Sequence, residues 1–61
     1  MPQLEAHDDF QKYRIFRRTY WTTLSSKLIR PYWNGKEIEG YILELQSGAQ
    51  IAVPKQHIKK A

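Results

Sequence analysis

The sequence has no cysteine among its 61 residues and only three glycines and three prolines. Without cysteine, neither a disulfide framework nor a thiolate metal site stabilises the chain. No apolar run approaches the roughly 20 residues that a membrane-spanning helix needs. Residues 1–9 have neither the positive start nor the apolar centre of a secretory signal. We therefore expect an intracellular, cytoplasmic protein that does not contact a membrane.

Acidic residues are also absent between Phe10 and Lys36, although this stretch contains seven basic residues interleaved with aromatic ones. The acids lie before and after it, and the net charge of the chain is +4. A surface that is charged only for solubility normally mixes both signs. A basic field without acids supplies most of the sequence-independent affinity for phosphate backbones. The pattern therefore favours a nucleic-acid partner over a merely solvated surface.

Catalytic and metal-binding patterns are missing as well. His7 and His57 stand fifty residues apart, without the spaced partners that a metal site needs. The pair Ser25-Ser26 lacks the flanking glycine of a nucleophile elbow, and Asp8-Asp9 is typical of a helix start. We therefore expect no enzymatic activity, no catalytic residue, no cofactor and no metal.

The length and composition indicate one small domain. A 61-residue chain buries only about 60% of its unfolded surface, but its 41% hydrophobic and 13% aromatic content argues against disorder. We expect a single domain over residues 1–61, with an acidic segment 1–9 and a basic β-rich body 10–61. The predicted fold is mainly β: a small antiparallel sheet or partly open barrel of three to five strands with one short helix.

The most distinct local signal is a β-hairpin over residues 41–53. Apolar residues alternate on both sides of a turn at Gln46-Ser47-Gly48. Gly48 suits the left-handed position of a three-residue hairpin loop, and Pro54 ends the second strand because it lacks a ladder donor.

A second turn is predicted at Asn34-Gly35, a dipeptide that favours a tight turn with positive φ at both positions. It joins a strand over residues 27–33 to one that begins near Lys36. Pro31 places the first of these strands at a sheet edge, and Gly40 is typical of a bulge in the second.

The segment from Phe10 to Leu28 fits both a helical stripe and strand alternation. Aromatic and β-branched residues are frequent between Tyr13 and Leu24, and they pack better on a pleated surface than on a helix. We expect a short helical turn over residues 8–12 and then a strand over residues 13–23, in which Trp21 shares a face with Arg17 and Thr19.

The predicted core combines the hairpin with neighbouring apolar residues. Its members are Tyr41, Leu43, Leu45, Ile51, Val53, Leu24, Leu28 and Ile29. We interpret Trp33 as a lid over this core, since one indole supplies a large share of the apolar burial in so small a domain.

Four segments resemble the second half of a LytTR domain, a β-rich DNA-binding module. They are Arg17-Arg18-Thr19-Tyr20, Ile29-Arg30-Pro31-Tyr32-Trp33-Asn34-Gly35, Tyr41-Ile42-Leu43-Glu44-Leu45 and Ile51-Ala52-Val53-Pro54-Lys55. The likeness covers about residues 13–60. It implies DNA binding through loops that enter the major groove, with Arg18 and Thr19 on the family's Arg-Ser pair and Lys55 on its last basic loop. It also implies a missing sheet edge, which either a second chain, in a homodimer or with a protein partner, would pair or a different topology would replace.

We therefore expect a small nucleic-acid-binding protein, with double-stranded DNA favoured over RNA, of the kind that regulates transcription. The predicted contacts are Arg14, Arg17, Arg18, Thr19, Lys27, Arg30, Lys55, Lys59 and Lys60, with Trp21 available for stacking. The alternative is a protein-interaction module or inhibitor, of the kind that phages and mobile elements encode, which binds an acidic protein surface. A third interpretation is a subunit of a larger assembly.

Overall fold

The computed structural model describes residues 4–61, which form five β-strands and one 3-10 helix. The elements are β1 (Gln11–Arg17), β2 (Tyr20–Asn34), β3 (Glu37–Leu45), β4 (Gln50–Pro54), the 3-10 helix (Lys55–His57) and β5 (Ile58–Lys60). All neighbouring strands are antiparallel, in the order β4-β3-β2-β1-β5. The prediction of a small, mainly β sheet is confirmed.

The sheet is strongly curled, because a very short connection joins its two edges. The edge strands β4 and β5 are separated in sequence only by Lys55–His57. In a flat sheet these edges would lie four strand spacings apart, about 19 Å. Four residue steps reach at most about 14 Å even when extended, and a 3-10 turn is shorter. The strands therefore wrap round the core as a partly open barrel.

The long strand β2 belongs to both halves of this barrel. Residues 20–26 pair with β1 and residues 26–34 pair with β3, so that Ser26 has a partner on each side. A register shift between Leu28 and Arg30 leaves Ile29 as an extra residue, and such a bulge bends a strand. Pro31 lies in the half that pairs on one side only, in keeping with the edge position predicted for it.

The single strand predicted over residues 13–23 is wrong. Arg17 pairs with Tyr20, and Arg18 and Thr19 form a tight turn between β1 and β2. Arg18 adopts a φ of 60°, which is uncommon for a residue other than glycine. No glycine, proline, asparagine or aspartate marks this turn, so the sequence carries no signal for it.

The helical turn predicted over residues 8–12 is also wrong. Asp8 and Asp9 form a bend, and β1 begins at Gln11. The amide of His7 donates a hydrogen bond of 3.1 Å to the carbonyl of Leu28, which ties the segment before β1 to β2. Tertiary pairing with β2 therefore overrides the local helix signal.

The two predicted turns join the expected strands, one of them shifted by a residue. Gly48 has a φ of 91°, and its amide donates to the carbonyl of Leu45 at 2.9 Å, as the three-residue hairpin loop requires. In the other turn Asn34 pairs with Glu37, so the two-residue loop is Gly35-Lys36 rather than Asn34-Gly35. Among the described loop residues here only Gly35 has positive φ, 65°, which places the glycine at the first loop position.

The bulge predicted at Gly40 is confirmed by a second register shift. Tyr32 pairs with Gly40 and Trp33 with Ile38, so that Glu39 is the extra residue on β3. A Cβ atom at Gly40 would overlap both the Tyr32 ring and the backbone carbonyl of Val53. Glycine is needed here because another strand and an aromatic ring approach the backbone closely.

The core lies inside the curled sheet and takes residues from every strand. Its buried members are Tyr13, Ile15, Leu28, Tyr41, Leu43, Val53 and Ile58, with Leu4, Leu24, Ile38 and Ile51 partly buried against them. The prediction is correct for Tyr41, Leu43, Val53 and Leu28.

Three core predictions do not hold. Ile29 is 38% exposed because it occupies the bulge, and Trp33 is 57% exposed, so it is not a lid. Leu45 is half-buried at the end of β3 and lies outside the core cluster. Their places are taken by Tyr13 and Ile15, which alternate with exposed residues along β1 and point into the core.

Candidate nucleic-acid interface

The side chains that point away from the core on β1, on the first half of β2 and on β5 form one surface. Alternation along β1 puts Lys12, Arg14 and Phe16 on the outside, between the buried Tyr13 and Ile15. Directly paired residues of neighbouring strands share a face. The register therefore adds the following residues to this surface: Trp21 opposite Phe16, Thr23 and Lys59 opposite Arg14, and Ser25 opposite Lys12.

Trp21 lies at the centre of this surface, and two cations cover its ring. The Nζ atom of Lys59 is 4.3 Å from the centroid of the indole, and the Cζ atom of Arg14 is 5.9 Å from it. Both distances are within the range in which a cation is attracted to the face of an aromatic ring. The indole therefore holds together two charges that would otherwise repel each other.

Two further aromatic rings continue the row towards the 3-10 helix. Phe16 meets Trp21 with ring centroids 5.4 Å apart and an interplanar angle of 63°. His57, the last residue of the 3-10 helix, lies 5.4 Å from Phe16 on its other side. We call Arg14, Phe16, Trp21, His57 and Lys59 the outer cluster.

The outer cluster lies in a field of one sign. The strand segments that carry it, residues 11–17, 20–26 and 58–60, contain no aspartate or glutamate. Its basic character continues to Lys27, whose Nζ atom is 4.9 Å from the centroid of the Phe10 ring. The nearest acids at this end are Glu44, which pairs with Lys27, and Asp8 and Asp9, which line the same cleft as Lys27. The positive field therefore ends where β2 passes from β1 to β3.

Three of the predicted site residues are brought together by the fold. Arg14 and Lys59 are 45 residues apart in the sequence, yet they pair directly across β1 and β5. The ring of Trp21, predicted to be available for stacking, contacts both of them and Phe16. These residues form the candidate interface.

The remaining predicted contacts are dispersed over the surface. Arg17, Arg18 and Thr19 are exposed at the β1–β2 turn, and Trp21 is on the opposite face of the hairpin from Arg17, so the shared face predicted for them is wrong. In a single strand Arg17 and Trp21 would point to the same side, but the two-residue turn pairs Arg17 with Tyr20 and so puts Trp21 on the other side.

The other four basic residues lie further away in the fold. Lys27 is at the far end of the outer surface, and Arg30 pairs with Ile42 in the other half of the barrel. Lys55 belongs to the 3-10 helix, while Lys60 pairs with Tyr13 and so projects to the side opposite Lys59.

Phe16, His57 and Lys12 also lie on this surface but were not among the predicted contacts. The outer face of β1 could have been predicted, because Lys12, Arg14 and Phe16 alternate with the buried Tyr13 and Ile15 in the period-two pattern of a strand. His57 had no such signal, because its contact with Phe16 depends on the pairing of β5 with β1.

Comparison with protein-family models, with curated proteins and with solved structures gives no match to this chain. Within residues 4–61, no helix is long and apolar enough to cross a membrane. The same residues contain no group of three or more histidine, aspartate or glutamate side chains placed to hold a metal ion. The function of the protein must therefore be inferred from its surface.

Proposed function

We propose that this protein binds nucleic acid, with the outer cluster as the contact surface. The observation that carries the proposal is the acid-free outer face on which Lys59 and Arg14 flank an aromatic ring. Arg, Lys and aromatic side chains on a surface of one charge sign are the groups that bind phosphate backbones and bases.

The spacing of the cations suits a phosphate backbone. Arg14 and Lys59 lie on adjacent strands, which are about 4.8 Å apart, and both are exposed. One strand of B-DNA carries a phosphate for every 3.4 Å of helix rise. Side chains as long as arginine and lysine can therefore reach neighbouring phosphates of one strand at the same time.

The β1–β2 turn supports a duplex-binding mode next to this surface. A two-stranded β-ribbon fits the major groove of B-DNA, and Arg18 and Thr19 are exposed at the tip of such a ribbon. The resemblance to LytTR domains assigns the same two residues to DNA contact. If the protein recognises duplex DNA, Arg18 contacts the bases and Lys59 contacts a phosphate. Binding of this kind would serve transcription regulation.

A salt titration with matched variants tests the proposal. Binding to a duplex, a single DNA strand and a single RNA strand is measured at several salt concentrations, for the parent, Arg14→Ala, Lys59→Ala and Lys36→Ala. Each lost phosphate contact reduces the slope of log K against log salt by about 0.7–0.9. We expect this reduction for Arg14→Ala and Lys59→Ala. Lys36 is exposed in the β2–β3 turn and serves as the control.

The result that overturns the proposal is an absence of binding to all three nucleic acids at low salt. An equal loss of slope in Lys36→Ala would also reject the outer cluster as the contact surface. Because an acidic protein could use the same basic face, the interaction-module alternative then becomes the preferred function.

A further inference from the structure

Trp21 is a large aromatic residue that lies outside the hydrophobic core. The buried core is complete without it, and Trp21 lies half-buried on the outer side of β2. The charged ends of two side chains, Lys59 and Arg14, lie over its ring. A large aromatic ring placed among cations outside the core is an arrangement typical of a binding surface.

The groups on the indole face can move aside. Lys59 reaches the ring through a flexible four-carbon stem, and Arg14 is further from the centroid, at 5.9 Å. Phe16, in contrast, meets Trp21 at 63° and therefore does not lie parallel on its face. A planar ligand can replace the two cations on the indole without displacing Phe16, which continues to brace the ring.

A nucleic-acid base is the planar ligand that also satisfies the displaced charges. Stacking of a base on an aromatic side chain is stronger than a cation–π contact at an exposed site. The ammonium of Lys59 and the guanidinium of Arg14 would then meet the phosphates on either side of the stacked base. The exchange leaves no charge without a partner.

The base must be unpaired. In a duplex, both faces of each base are covered by its neighbours in the stack, and only the base edges are open in the grooves. We infer that Trp21 is a stacking platform for an unpaired base, so that the outer cluster binds single-stranded nucleic acid, whereas a duplex would be contacted by the β1–β2 turn and would leave the Trp21 face empty. This inference rests on the proposed function and assigns its ligand class.

The test compares strands that differ only in whether they carry bases. The chain has two tryptophans, so the exposed Trp33 is first replaced in a Trp33→Phe parent, which leaves Trp21 as the only indole. This parent is titrated with an oligothymidylate, with an abasic strand of the same length and with a duplex of the same length. Trp21 fluorescence and affinity are both recorded.

We expect the oligothymidylate to quench Trp21 and to bind about tenfold more tightly than the abasic strand, a ratio within the range for stacking of one base. The duplex should leave Trp21 fluorescence nearly unchanged. Adding Trp21→Leu should remove the preference for base-bearing strands, whereas Trp21→Phe should retain part of it. The preference is measured first in the Trp33→Phe parent, so the test does not depend on whether Trp21→Leu folds.

The outcomes separate the inference from the proposed function. Equal affinity for the base-bearing and abasic strands, or equal quenching by the duplex, overturns the stacking platform while binding to phosphates stands. Failure of all three ligands to bind at low salt overturns the proposed function as well.

Discussion

Replacing Leu43 by alanine should remove most of the stability of this domain. Leu43 is fully buried in the middle of β3, where it pairs with Leu28 of β2 and Ile51 of β4. Truncation loses the transfer free energy of the side chain and leaves a cavity, together about 3–5 kcal/mol for a fully buried leucine. The free energy of unfolding of a 61-residue domain is about 3–9 kcal/mol. We therefore expect Leu43→Ala to be largely or completely unfolded at 37 °C.

Leu45→Ala is the matched control on the same strand. Leu45 is half-buried and lies outside the core cluster, so the same chemical change should cost less than about 2 kcal/mol. Urea denaturation followed by far-UV circular dichroism measures both variants, and tryptophan fluorescence provides a second probe. If the two variants lose equal stability, or if Leu43→Ala unfolds at the parent's midpoint, the curled sheet with Leu43 at its centre is incorrect.

Three further changes probe individual features of the fold. Gly40→Ala should cost about 1–3 kcal/mol in chemical denaturation, because the added Cβ overlaps the Val53 carbonyl and the Tyr32 ring; an unchanged midpoint would contradict this contact. Arg18→Gly should raise the free energy of unfolding by about 1 kcal/mol by relieving the left-handed backbone, and Arg18→Ala, which removes the same charge, should show no such gain. Burial raises the pKa of Tyr13, so the unfolded chain releases this proton first; the contribution of Tyr13 to stability is complete below about pH 10 and is lost as the pH rises beyond it. Tyr13→Phe should therefore lose less stability than the parent as the pH rises above about 10, and parallel stability curves for the two proteins would contradict the burial of the Tyr13 hydroxyl.

The fold class and the hairpin over β3 and β4 follow from local chemistry. Strand alternation has a period of two residues, and Gly48 meets the positive φ of its loop, so a short window of sequence contains all the information that these elements require. The same holds for the bulge at Gly40 and for the presence of a turn after β2.

The β1–β2 turn and the outer cluster were decided by tertiary structure. Arg18 and Thr19 have no local preference for a turn; they form one because β1 and β2 bury their inner faces on a common core. Once the chain turns there, every later residue of β2 changes its side relative to a continuous strand, which takes Trp21 away from Arg17 and places it beside Phe16. Lys59 reaches the same ring only because the curled sheet pairs β5 with β1. Pairing between distant segments depends on burial of a shared core, and no local window of the sequence contains that information.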